Sequence, residues 1–75
     1  MPSILQSVVF ERDKGWTVES SKKWVSQHDY KTSFPGKPGP DIKPMQIRYR
    51  QTPPNFSNYA TKKLPGGILL IFGLR

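Results

Sequence analysis

Apolar and polar residues alternate strictly through MQIRYRQ, residues 45–51, where Met45, Ile47 and Tyr49 are set against Gln46, Arg48 and Arg50. Successive side chains of a strand point to opposite faces, so the pattern predicts a half-buried strand with one apolar and one arginine face. A strand is also predicted over 3–10, SILQSVVF, which is rich in β-branched and aromatic residues and holds no breaker. The charged run Glu11-Arg12-Asp13-Lys14-Gly15 then reads as a turn. Over 17–29, TVESSKKWVSQHD, the period changes. Val18, Ser21, Val25 and His28 fall on one stripe at helical spacing with Trp24 beside it, while Lys22, Lys23, Ser26 and Gln27 lie mostly elsewhere. Thr17 is the expected N-cap, Glu19 suits the positive end of the helix dipole, and Trp16 is placed to staple the first turn.

Residues 31–44, KTSFPGKPGPDIKP, contain four of the eight prolines and two of the six glycines. Proline removes a backbone donor, so neither a helix nor a central strand runs through this stretch and a surface loop is expected. Thr52-Pro53-Pro54 ends the MQIRYRQ strand. YATKKL (59–64), a tight Pro65-Gly66-Gly67 turn and ILLIFG (68–73) form a predicted antiparallel hairpin with a three-residue connection. Unbroken apolarity makes ILLIFG a central strand covered on both faces. The order β-α-loop-β-β-β predicts a single α+β domain spanning 1–75, with one helix packed on a small, largely antiparallel sheet of three or four strands. Its expected core is Val8, Phe10, Val25, Ile47, Tyr49, Ile68 and Leu70.

Composition narrows the chemistry. A chain of 75 residues buries only about 60% of its unfolded surface, so modest stability is expected. The absence of cysteine and the single histidine, His28, leave no disulfide framework and no evident metal site. The five carboxylates form no acid/base cluster, and no nucleophile has a base in prospect, so neither a catalytic residue nor a cofactor is expected. Gly36-Lys37-Pro38-Gly39 lacks the spacing and the following helix of a phosphate loop. His28, near the helix end, suits packing or capping. The N-terminus has neither the basic n-region nor the long apolar run of a secretory signal, and no stretch approaches the roughly 18 apolar residues of a membrane span. Asn55-Phe56-Ser57 is accordingly read as an accidental sequon.

Charge is the most informative bulk property. Twelve Lys and Arg against five Asp and Glu give +7, an excess that favours polyanions. Arg48 and Arg50 share a strand face, Lys62 and Lys63 precede the hairpin turn, and Lys22 and Lys23 sit on the helix. Arginine forks two hydrogen bonds onto one phosphate, whereas lysine supplies a point charge. Tyr49, Tyr59, Phe56 and Trp16 are interleaved with these cations, a combination used by single-strand-binding surfaces, although Tyr49 and Trp24 are placed for the core.

The series S-V-V-F (7–10), W-T-V (16–18), K-K-W-V-x-x-H (22–28), R-Y-R-Q (48–51) and Y-A-T-K-K-L-x-x-G-I (59–68) resembles a small uncharacterised domain of large DNA viruses and some tailed phages. The likeness spans most of the chain and implies a viral origin, with a place in the virion or in the host cytoplasm or nucleus, and not secretion. It carries no activity. The chain departs from the pattern at Asp29, where the pattern has glycine, and in the added loop 31–44. The shared polar positions Arg48, Arg50, Gln51, Thr61, Lys62 and Lys63 are unnecessary for a core, so the resemblance implies a working surface there. The leading expectation is a non-enzymatic nucleic-acid-binding module that contacts phosphates through Arg48, Arg50, Gln51, Lys62, Lys63, Lys22 and Lys23, with weak sequence specificity and with DNA ahead of RNA. The alternative is a structural or protein-interaction module, a virion component or adaptor, that binds an acidic protein partner through the loop and a sheet edge.

Overall fold

The computed structural model describes residues 3–32, 39–52 and 56–74. Its elements are β1 (Ser3–Glu11), a 3-10 turn (Arg12–Lys14), α1 (Val18–Gln27), β2 (Asp41–Ile42), β3 (Gln46–Arg50), β4 (Asn58–Leu64) and β5 (Ile68–Leu74). The strands form one sheet in the order β2-β3-β1-β5-β4, and every neighbouring pair is antiparallel. The α+β architecture is the one expected, but the sheet has five strands, not three or four. The additional strand is β2, at the end of the proline- and glycine-rich segment. Asp41 and Ile42 pair with Arg48 and Ile47, and the Lys43 amide donates to the Gln46 carbonyl at 2.8 Å. Pro40 and Pro44 flank β2, and a two-residue edge strand tolerates that, because its outer side needs no ladder donors. Residues 33–38, the centre of the predicted loop, and Pro53, Pro54 and Asn55 lie outside the described residues.

α1 covers one face of the sheet. All seven residues expected in the core are buried there: Val8 and Phe10 from β1, Ile47 and Tyr49 from β3, Ile68 and Leu70 from β5, and Val25 from α1. Strand alternation accounts for the six sheet positions. Phe10 is the hub, with ring centroids 4.8 Å from Trp16, 5.6 Å from Trp24 and 5.7 Å from Tyr49. Met45 precedes β3 and is 59% exposed.

Local chemistry sets both ends of α1. The Thr17 hydroxyl accepts from the Ser20 amide at 3.1 Å and the Ser20 hydroxyl accepts from the Thr17 amide at 3.0 Å, a reciprocal capping box. At the other end Asp29 is left-handed, at φ 59°. The Asp29 amide donates to Ser26 and the Tyr30 amide to Val25, the paired bonds of a Schellman motif. His28 is the C-cap and stacks on Trp24 at 3.8 Å.

Two packing expectations are corrected. Trp16 does not staple the helix, because the fourth helical position is Ser21 and offers no apolar partner. The indole lies on Phe10 and donates its Nε1 hydrogen to the Gly66 carbonyl at 2.7 Å, clamping the hairpin turn. β5 is central but is not covered on both faces. Leu69 and Ile71 point away from α1 and are half-buried, and among the described residues no second layer lies over them.

Candidate functional site

Tyr49 and Ile47 face α1, so alternation sends Arg48 and Arg50 to the opposite, open face of the sheet. The strand register arranges that face in rows. Arg48 stands across from Val9, which stands across from Leu69, which stands across from Lys63. The next row runs Arg50, Ser7, Ile71 and Thr61, and beyond it Tyr59 lies across from Gly73. Arg48 and Lys63 are three strand spacings apart, about 14 Å. The open face therefore has a largely apolar floor with two arginines on one bank and a lysine on the other. Its acids are Asp41, across from Arg48, and Glu11, across from Gln46. Neither Arg50 nor Lys63 is paired with an acid across the strands.

Ser7 and Val9 are fully buried on this face, although among the described residues no element lies over them. Their cross-strand neighbours are Arg50 and Arg48, both half-buried, and an arginine can lay its apolar stem along a sheet while its head stays at the surface. Both guanidinium Nε atoms are shielded from solvent and have no hydrogen-bond partner. Such a donor costs on the order of 1–3 kcal/mol to leave unsatisfied, so an incoming anion that draws either guanidinium into a charge-assisted bond recovers that cost.

A bulge at Gln6 completes the site. The β1–β5 register shifts between Leu5 and Ser7, and the Gln6 carbonyl accepts from the Gln51 amide at 2.7 Å. The Gln6 side chain donates to the Thr52 carbonyl and accepts from the Ser7 hydroxyl, tying the ends of β1 and β3 together. Gln6, Arg48, Arg50, Tyr59 and Ile71 border a shallow hollow of about 270 Å³. Beside it Phe56 lies against the backbone of Gly73, where a Cβ would overlap the ring. Phe56 meets Tyr59 edge-on, with centroids 5.9 Å apart and planes at 79°. Tyr59 is 45% exposed.

The structure thus brings Arg48, Arg50 and Lys63 together and separates the other expected contacts from them. Lys62 alternates to the α1 side of the sheet, across from Leu70. Lys22 and Lys23 are exposed on the outer side of α1, a layer away, where they border an open hollow of about 690 Å³ with Glu19, Ser26 and Thr32. Gln51 is buried and not displayed. Its Oε1 accepts from the Lys31 amide at 2.7 Å and its Nε2 donates to the Lys31 carbonyl at 2.9 Å, so its amide latches the chain leaving α1. The Phe56–Gly73 contact was not anticipated from sequence, although an isolated glycine in a strand marks close approach by another group.

Comparison with known protein families, with curated proteins and with solved structures finds no match to this chain. Among the described residues no helix is long and apolar enough to cross a membrane.

Proposed function

We propose that this protein is a non-enzymatic nucleic-acid-binding module of viral origin that grips phosphates on the open face of its sheet through Arg48, Arg50 and Lys63. The observation that carries this reading is the arginine pair itself: two guanidinium groups on one open face, each with a shielded Nε that lacks a partner. The residues are two apart on one strand, which spaces them by about 6.8 Å. That interval suits successive phosphates of one strand. Few side chains on the face are free to read base edges, so sequence specificity is weak and DNA is preferred to RNA only on the resemblance to domains of DNA viruses.

The test is an anisotropy titration against labelled DNA over a range of salt. Both arginines are half-buried, so the informative variant is Arg48→Met/Arg50→Met, which removes the charge and keeps apolar stems. It should bind every sequence more weakly and flatten the slope of log K against log salt by about two units, one for each lost phosphate. Parent protein that binds no nucleic acid at low salt would sink the proposal.

The second reading is docking of an acidic protein by strand addition. It is favoured by β4, an edge strand exposed from Asn58 to Lys63 and carrying Lys62 and Lys63. Arg48→Met/Arg50→Met separates the two, because it removes the phosphate contacts and leaves the β4 edge and its lysines unchanged.

A further inference from the structure

We infer that the ligand of the open face is a single strand, one of whose bases stacks on the exposed ring of Tyr59 while Arg50 and Arg48 hold its flanking phosphates. This inference rests on the phosphate-gripping reading above and adds to it the state of the nucleic acid and the residue that recognises a base.

Three observations converge on it. The first is the aromatic corner. Tyr59 is the exposed large aromatic of the described residues, and it stands at the rim of the same hollow that Arg48 and Arg50 border. Phe56 supports it edge-on, and Phe56 is itself seated on the bare backbone of Gly73. A ring braced by a neighbouring ring is a preorganised platform, and base–aromatic stacking tolerates any base because every base has a π-face. The second is the size and floor of the hollow. At about 270 Å³ it falls below the roughly 300–1,000 Å³ of sites for whole small molecules. It suits one flat ring, and Ile71 supplies an apolar floor.

The third is the placement of charge. Arg48 and Arg50 border the hollow on the side opposite Tyr59, and Lys63 continues the cationic bank on the Tyr59 strand. A polyanion laid across the face therefore meets cations on both sides of a base-sized apolar floor. Asp41 and Glu11 lie off the Tyr59 end, so neither acid faces the stacking position. A duplex does not match this geometry. Its bases are stacked on one another and cannot reach Tyr59, and among the described residues neither a projecting helix nor a free two-stranded ribbon stands on this face to enter a major groove. The helix of this fold is on the other layer.

The experiment compares a labelled 15-nucleotide thymidine oligomer with a uridine oligomer, an abasic deoxyribose-phosphate strand and a duplex, each of the same length and at low salt. Thymidine and uridine strands should bind the parent protein more tightly than the abasic strand or the duplex. Tyr59→Leu, which keeps apolar cover over Phe56, should weaken thymidine binding by about 5- to 150-fold, the worth of stacking one base. It should leave abasic-strand binding unchanged, and Tyr59→Phe should restore thymidine binding. Circular dichroism of each variant confirms the fold, and if Tyr59→Leu proves unfolded, the ranking of the abasic strand and duplex on parent protein decides alone. Equal binding of all four probes, with no effect of Tyr59→Leu, would overturn the stacking inference and leave the phosphate-gripping reading standing. No binding of any probe would overturn both.

Discussion

Tyr49 shows how one residue joins the two layers. Its ring is in the core, and its hydroxyl meets the Ser21 hydroxyl at 2.8 Å and donates to the Val18 carbonyl at 3.2 Å, so a strand side chain holds the first turns of α1. Burial raises the Tyr49 pKa above its ordinary 10.0, and the Ser21 hydrogen bond pulls it partly back. A phenol whose folded pKa lies above its unfolded value contributes stability that is whole below about pH 10 and is lost as pH rises through the folded value. Tyr49→Phe should cost about 0.5–1.5 kcal/mol at neutral pH. The cost stays small because Ser21 still donates to Val18 at 3.0 Å. The same variant should lose less stability than the parent between neutral pH and pH above 10, as read from urea midpoints at each pH. Parallel curves for the two proteins would mean that Tyr49 ionises in the folded state without penalty.

At the scale of elements, α1 is legible almost to the residue. Its N-cap, its buried stripe at Ser21 and Val25, and its end near His28 follow from spacing and capping chemistry that act within a few residues. Asp29 is the exception. A left-handed residue with a Cβ carries a steric penalty, and an acid at a helix C-terminus opposes the dipole. Asp29→Gly should therefore stabilise the fold by about 0.5–1 kcal/mol in chemical denaturation, since glycine populates that conformation freely. A loss of stability would show that the Asp29 side chain contributes more than its backbone costs. β5 is the opposite case. Its ILLIFG run reads as a two-sided buried strand, yet only Ile68, Leu70 and Gly73 of β5 are buried. Apolar content does not reveal whether a layer exists on each side. The same composition serves a core face and the floor of an open site.

On the scale of the whole molecule, α1 and its lysines occupy one side of the sheet and the arginine face the other. The loop between α1 and β3 is anchored at both described ends, by Gln51 holding Lys31 and by β2 pairing with β3. Removing three residues from the stretch 33–38 should change thermal stability little. Closure entropy varies by only about 0.6 kcal/mol per doubling of loop length, and 1 kcal/mol moves Tm by about 4–8 °C in a domain of this size. A shift below about 4 °C in a thermal scan is expected. A fall of 10 °C or more would assign an anchoring role to a side chain in the stretch, Phe34 first among them.

The sequence by itself determined the class of fold, the seven core residues, the helix with its caps and the shared face of Arg48 and Arg50. These follow from period-2 and period-3.6 patterning and from capping, which are short-range properties of the chain. Only the tertiary structure decided which cations meet. Lys62 and Lys63 are adjacent in sequence, and either suits the arginine face until the β4–β5 register sends Lys63 there and Lys62 to the other side. Gln51 reads as a displayed polar residue until the chain leaving α1 returns beside it and takes both ends of its amide. Gly73 reads as a gap in an apolar strand until Phe56 occupies it. In each case the deciding partner lies far along the chain or across the sheet, and long-range pairing leaves little trace in local composition.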